Sequence, residues 1–320
     1  MKKKILGMGN AVLDIIFSCK EKDLVEMGLI KGQMSLVEND NSENIFKKFN
    51  SVKKSSGGSV ANTITGISLL GGNSSFCGRV CDDNIGNFFI SDINDSGVNF
   101  LCSPKNGIPT AKCLVFVTDD GERTMQTFLG ASINLDENDI YEDFFSDVSI
   151  LLIEGYLWSS LSARKAISKA VRIAKSRDII VAFSLSDSGL VEMYKKEFYE
   201  FIKNHVDILI GNFSEFKSLI DEQDFNEINK KLFQIAEKAV MTRGNEGATL
   251  FINNNFINCD AVKNEAIIDT TGAGDMFAAG FLHFINIGKS YSEAMQYGCE
   301  VASKILSQYG GRPEKENFQK

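Results

Sequence analysis

Apolar and polar positions along this chain alternate between two rhythms. Short, almost continuous apolar runs fall at residues 4–9, 74–79, 149–155, 179–184, 208–210 and 238–242. These read as strands. Between them, apolar residues recur every third or fourth place, over 59–70, 86–96, 160–176, 191–204, 215–220, a stretch opening near 274, and 292–306. That spacing predicts helices. A polar helix is expected over 41–49, and a hairpin from the runs 248–252 and 256–259. Strands alternating with helices predict an α/β body whose mostly parallel sheet is covered on both faces. Sites in such sheets lie at the strand C-terminal ends. Gly9-Asn10, Glu154-Gly155, Gly211-Asn212 and Thr242-Arg243-Gly244 all fall there.

One region breaks the alternation. Residues 98–129 carry three strand-like runs, at 99–101, 112–118 and 123–128, with Asp119-Asp120-Gly121-Glu122 as a hairpin turn. Residues 14–37 are irregular and continue the strand-like sequence after Asp14. Together, 14–37 and 98–129 predict a small β lid inserted into a single domain spanning 1–320.

The chemistry concentrates in Asp269-Thr270-Thr271-Gly272-Ala273-Gly274-Asp275. Bare glycines let the backbone approach a ligand closely. The helix that starts near Gly274 offers unpaired N–H groups and a positive dipole end to a phosphate. Asp275 then stands beside the anion site, where a carboxylate can deprotonate an attacking hydroxyl. The helix start favours its ionised form. A plain glycine turn before a core helix is the bland alternative.

Other candidates have two readings each. Gly57-Gly58, with Asn62 four residues on, make either a tight turn or a close ligand contact in which Asn62 both donates and accepts. Asn212 caps a helix, or with Glu215 serves the nucleotide phosphates, Glu215 holding Mg²⁺ through water. Thr242 and the turn Gly244–Gly247 line a hairpin or receive a triphosphate. Arg123 is a solvated surface charge, or a phosphate clamp if the lid closes. Asp14 is an edge-strand charge or the acceptor of two sugar hydroxyls.

Composition narrows the classes. A net charge of −8 disfavours a nucleic-acid partner. The 7 cysteines form no metal-ligand spacing and read as buried thiols in a reducing cytoplasm. With only 2 histidines, His205 and His283, a Ser-His-Asp triad is excluded as the organising idea. Gly7-Met8-Gly9 starts a dinucleotide fingerprint, but Val12 stands where the third glycine belongs. The lysine-led start, residues 1–9, imitates a signal peptide but lacks a cleavage site, and no apolar run reaches the ~18 residues of a membrane span.

Gly9-Asn10 with Asp14, Gly57–Thr63, Asn212 with Glu215, and Asp269–Asp275, in that order, resemble the PfkB family of carbohydrate kinases, also called the ribokinase-like fold. The resemblance implies a three-layer αβα body with a β lid, and transfer of the ATP γ-phosphoryl group to a primary hydroxyl. Asp275 would be the base, and the N–H groups of Gly272, Ala273 and Gly274 the anion hole. Asn10, Asp14, Gly57, Gly58, Asn62 and Arg123 would hold the acceptor. Asn212, Thr242, Gly244, Gly247 and Thr271 would hold the nucleotide, and Glu215 the Mg²⁺. ATP and Mg²⁺ are implied, with room for a monovalent cation such as K⁺. Gly58–Thr63, Gly121–Thr124 and Tyr309–Pro313 look most like adenosine kinase-type members, which favours a ribonucleoside over a free sugar. A monomer, or a homodimer through the lid edge, is expected. A non-catalytic nucleotide- or metabolite-binding regulator is the contrasting class, opposed by the intact Asp275 and its glycine turn.

Overall fold

The computed structural model describes residues 3–40, 51–264 and 266–318. The helix expected over 41–49 lies outside the described residues. The strands in chain order are β1 (Lys4–Met8), β2 (Val12–Ser18), β3 (Met34–Leu36), β4 (Lys53–Gly57), β5 (Asn73–Cys77), β6 (Asn99–Phe100) and β7 (Ala111–Val117). They continue as β8 (Arg123–Phe128), β9 (Val148–Glu154), β10 (Ile180–Ser184), β11 (Ile208–Asn212), β12 (Lys238–Thr242), β13 (Ala248–Ile252) and β14 (Asn255–Cys259).

Among the described residues nine strands form one sheet, in the order β14-β13-β12-β11-β10-β9-β1-β5-β6. From β12 to β6 every pairing is parallel, and β13 and β14 close one edge as an antiparallel hairpin. Alternate residues of one strand enter two different cores. Leu151 and Ile153 pack with the side of helices Leu161–Ser176 and Lys195–His205, while Ile150 and Leu152 pack with Ser59–Leu69 and Ala273–Asn286. Burial on both faces is why these strands read as unbroken apolar runs. Each such side chain contributes roughly 1.5–3 kcal/mol when taken out of water, so both faces hold the register.

The helix expected over 191–204 is two helices, Ser188–Met193 and Lys195–His205, broken at Tyr194. A short helix the apolar rhythm did not announce, Phe225–Leu232, is capped by Asp224.

Five strands form the second sheet, in the order β3-β8-β7-β2-β4. Its membership corrects the expected lid boundaries in two places. The run at 99–101 supplies β6, which pairs with β5 in the large sheet. The run entering the Gly57 turn supplies β4, which pairs with β2 in the small sheet. Leu13, Ile15, Phe17, Leu114 and Phe116 form the core of one face, packed with Leu24 of helix Glu21–Glu26. The alternate positions Asp14, Ile16, Cys113, Val115, Arg123 and Met125 line a cleft against Thr271 and residues 309–312.

The large sheet has a switch point. The chain moves outward from β1 to β5 and β6, then resumes at β9 on the other side of β1 and continues to β10, β11 and β12. Between β1 and β9 the two windings diverge, opening a crevice at their C-terminal ends. The lysine-led start therefore leads into an interior strand at the switch point.

Candidate active site

Helix Ala273–Asn286 begins at Gly272, whose φ of 79° lies in the left-handed region. That conformation favours glycine, and a Cβ here would also stand 2.6 Å from Cα of Gly311. Ahead of Gly274 there is open space instead, with nothing within 4 Å of a Cβ built on it. The N–H of Ala273 donates to the carbonyl of Thr270 at 3.2 Å. Among the described residues the N–H groups of Gly272 and Gly274 have no backbone partner in this turn, whereas that of Ala273 is engaged.

Asp275 stands in the first turn of that helix and is half-buried. Ser59 Oγ donates to its Oδ1 at 2.7 Å, and Asn62 Nδ2 to its Oδ2 at 3.2 Å. Burial pushes its carboxyl up to about 6 from the ordinary 3.8, against the opposing pull of those two hydrogen bonds. Desolvation thus opposes the ionised form that the helix start favours. A half-buried carboxylate poised near neutrality suits a general base.

The residues expected on the acceptor side lie at β1, β2, the small sheet and helix Ser59–Leu69. Asn10 and Asn62 are both buried, and the Oδ1 of each has no hydrogen-bond partner among the described residues. Buried acceptors left open look for donors such as sugar hydroxyls. Asp14 lies against Gly57, where any Cβ would collide with its carboxyl. Burial pushes Asp14 up to about 7, with Arg312 and Arg123 pulling it down and Asp275 raising it. Gly58 has a φ of 102°, and its missing Cβ leaves room for the carbonyl of Asn10.

Arg123 already has partners. Its Nη2 forms an ion pair with Asp269 Oδ2, and its Nη1 donates to Thr271 Oγ1 at 2.7 Å. Asp269 in turn accepts from the N–H of Thr271 at 3.0 Å and of Gly310 at 2.8 Å. One carboxylate therefore joins the small sheet, the turn before the anion hole and the C-terminal segment.

The nucleotide-side candidates cluster along the next strand ends. Asn212, Thr242 and Gly244 line a groove of ≈ 500 Å³ with Phe213, Ser214, Phe225, Arg243 and Glu246. Asn212 and Glu215 form a reciprocal cap: Asn212 N donates to Glu215 Oε2 at 2.9 Å, Asn212 Nδ2 to Oε1 at 2.7 Å, and Glu215 N to Asn212 Oδ1 at 2.9 Å. Burial, aided by Asp187 and Asp275, pushes Glu215 up to about 7. Arg243 lies over the Phe225 ring, 5.5 Å from its centroid, and pairs with Glu246 at 3.2 Å. Gly247 does not join the groove. It is buried with a φ of 86°, and its bare Cα gives room to the backbone of Cys259 and Asp260. Thr271 faces the small-sheet cleft, in contact with Arg123.

A Mg²⁺ site built from protein alone does not fit. No group of three or more His, Cys, Asp or Glu residues could hold a metal ion among the described residues. A single carboxylate with lone pairs to spare, as at Glu215, fits an ion held mainly by water and phosphate oxygens.

Four residues of the site carried no assigned chemistry in the sequence: Ser59, Glu154, Asp269 and Arg312. Ser59, Asp269 and Arg312 sat inside quoted motifs, and Glu154 stood at a flagged strand end. Arg312 is 5 % exposed, donates to the carbonyl of Ala61 at 3.0 Å and to Ser56 Oγ, and faces Asp92 at 3.8 Å. Only the fold shows that the tail returns to the acceptor cleft.

Along most of its length the chain is similar to known kinases. The chain is 27% identical over 265 residues to the 5-dehydro-2-deoxygluconokinase of Geobacillus thermodenitrificans, covering 79% of each. It is 27% identical over 301 residues to that of Halalkalibacterium halodurans, covering 91% of this chain and 90% of the other. A solved adenosine kinase from Sinorhizobium meliloti superposes with a TM-score of 0.90 at 37% identity, covering 98% of this chain and 96% of that one. A probable sugar kinase from Rhizobium etli does so with a TM-score of 0.90 at 34% identity, covering 98% and 95%. Residues 22–317 match the pfkB family carbohydrate kinase profile, and the chain belongs to that family of kinases acting on sugars or nucleosides.

Proposed function

We propose that this protein transfers the γ-phosphoryl group of ATP to a primary hydroxyl of a ribonucleoside, with adenosine favoured. The observation that carries the acceptor class is the cleft under the small sheet. Ile16, Val115, Met125 and Tyr309 give it an apolar wall beside Asp14. Its cations are already paired: Lys53 with Glu314, Arg123 with Asp269, and Arg312 with Asp92. That lining suits a neutral acceptor with an apolar, flat group. A nucleoside base meets the wall while ribose hydroxyls meet Asp14, Asn10 and Asn62.

In this reading Asp275 takes the proton from the attacking hydroxyl, held in line by Ser59 and Asn62. Open N–H groups at Gly272 and Gly274 face the phosphoryl oxygens, where fixed donors in a dry cleft stabilise developing charge. Asn212, Thr242 and Gly244 line the nucleotide groove. Glu215 would hold Mg²⁺ through water, and the ion when bound neutralises phosphate charge. The small sheet acts as a lid that excludes water. Free, buried thiols throughout the chain fit a cytoplasmic setting.

A second reading follows the two curated relatives named above, whose acceptor is an acidic sugar. Its carboxylate would need a cation, and Arg123 would have to leave Asp269 to supply it. A panel of adenosine, other ribonucleosides, ribose, fructose and 5-dehydro-2-deoxygluconate, each with ATP and Mg²⁺, separates the two. Nucleoside turnover well above sugar turnover supports the first reading. Preference for the acidic sugar overturns it.

A further inference from the structure

We propose that Glu154 is a positioning residue whose carboxylate, bridging two backbone amides at the switch point, sets the spacing between the turn that presents Asn10 and the helix start that grips Asp275. Glu154 ends β9 and is 1 % exposed. Asn10 N donates to its Oε1 at 3.3 Å, and Val60 N donates to its Oε2 at 3.0 Å. Those amides belong to two separate segments. One follows β1, and the other opens helix Ser59–Leu69.

The bridge reaches the chemistry in one further step on each side. Asn10 carries an unpartnered buried Oδ1. Val60 lies between Ser59, which donates to Asp275, and Asn62, which does the same three residues on. A displacement of Val60 therefore moves both donors that orient the base. The packing around the bridge admits no spare volume. A Cβ on Gly9 would stand 2.5 Å from Glu154 Oε2 and 3.0 Å from Val60 Cβ. A Cβ on Gly58 would strike the carbonyl of Asn10.

The burial of a carboxyl at this point needs a reason. A buried charge is costly unless its hydrogen bonds are made. Here burial pushes Glu154 up to about 7, the two amide bonds oppose that rise, and the Asp275 charge adds to it. A neutral side chain could satisfy one amide with less penalty. Two amides that diverge from separate segments require two acceptor oxygens on one planar group, which only a carboxylate supplies. At 1 % exposure Glu154 is closed off from a substrate hydroxyl and is not itself the base.

The inference rests on the kinase reading, and its test reads both the bridge and the reaction. In Glu154→Gln, one oxygen remains and an amide N–H replaces the other, so one backbone donor faces a donor. Amide hydrogen exchange at whichever of Asn10 and Val60 then faces the new N–H should quicken at least about tenfold in this variant, as for a loss of about 1.4 kcal/mol in the local bond. With the acceptor identified by the panel, kcat/KM for the acceptor should fall by about 100-fold, as expected for a misplacement near 1 Å, while KM for ATP stays within about twofold. Glu154→Ala should lose more of the same quantity. If Glu154→Ala fails to fold, Glu154→Gln carries the test alone. Unchanged acceptor kinetics in a folded Glu154→Gln overturn the proposal, as does an equal loss toward ATP. So does a Glu154→Gln that does not fold, which would make the residue one of stability. A wild type inactive on every acceptor, yet slow to exchange at both amides, refutes the kinase reading and leaves the bridge standing.

Discussion

Ser59 Oγ donates to Asp275 Oδ1 at 2.7 Å, joining residues 216 positions apart. The helix start at Ser59 and the helix start at Gly272 thus meet head to head, and the contact holds the carboxylate in one orientation. A base fixed this way loses no time searching rotamers when the hydroxyl arrives.

Replacing Asp275 by Asn keeps the volume and the Ser59 contact but removes the proton acceptor. Turnover should fall by about 10²–10⁴-fold, while ATP binding measured by calorimetry stays near wild type. Wild-type kcat in the Asp275→Asn variant would eliminate the base assignment.

The same carboxyl sets the acid limb of the rate. With Asp275 pushed up to about 6 in the ligand-free protein, kcat/KM should drop about tenfold per pH unit below pH 6, because protonated Asp275 cannot accept. A pH profile of kcat/KM at low acceptor concentration checks this, and the Asp275→Asn residual rate should lack that limb.

Stability should show the opposite slope. Asp14, Glu154 and Glu215 are each pushed up to about 7, from ordinary values of 3.8, 4.5 and 4.5. Their folded values lie above the unfolded ones, so the native chain binds more protons between about pH 4 and pH 7. Stability therefore falls as pH rises through that window. Glu293, pulled down to about 2 by Ser290, contributes its change at the acid end, where stability is lost as pH falls toward that value. Thermal melts of the ligand-free protein should peak nearer pH 5 than pH 7.5, and Glu154→Gln should flatten the slope.

Arg123 and Asp269 are 11% and 9% exposed in their side chains, so their ion pair is largely dry. Removing one partner of such a pair costs about 3–5 kcal/mol, because the other charge stays buried. Arg123→Ala and Asp269→Ala should each lower the urea midpoint, and the double variant should cost less than the two together. Additive losses would show that the two side chains act independently.

The two glycines of the anion turn should respond differently. Gly272→Ala forces a side chain into the left-handed region, at about 1–2 kcal/mol, and into Gly311. Both melting temperature and turnover should fall. Gly274 faces open space inside a helix, so Gly274→Ala should hold or raise the melting temperature while its methyl obstructs the phosphate and lowers kcat.

The body and the centre of the site were legible in the residues. Continuous apolar strands between helices with 3.6-residue spacing specify a covered parallel sheet, since both signals arise from local burial. Asp269–Asp275 was legible because a glycine turn, a helix start and an acid are contiguous. The partners that make this turn a site are not contiguous. Ser59, Glu154 and Arg312 are an ordinary serine, strand-end glutamate and tail arginine until the switch point between β1 and β9 and the returning C-terminus bring them together. The same holds for Arg123, whose surface reading gave way to a buried pair once the small sheet folded over Asp269, and for the strand at 99–101, which tertiary pairing assigned to the large sheet. Periodicity and turn chemistry are properties of neighbours in sequence. Hydrogen bonds across 94 or 216 positions depend on which elements pack together, and that the chain decides only when it is folded.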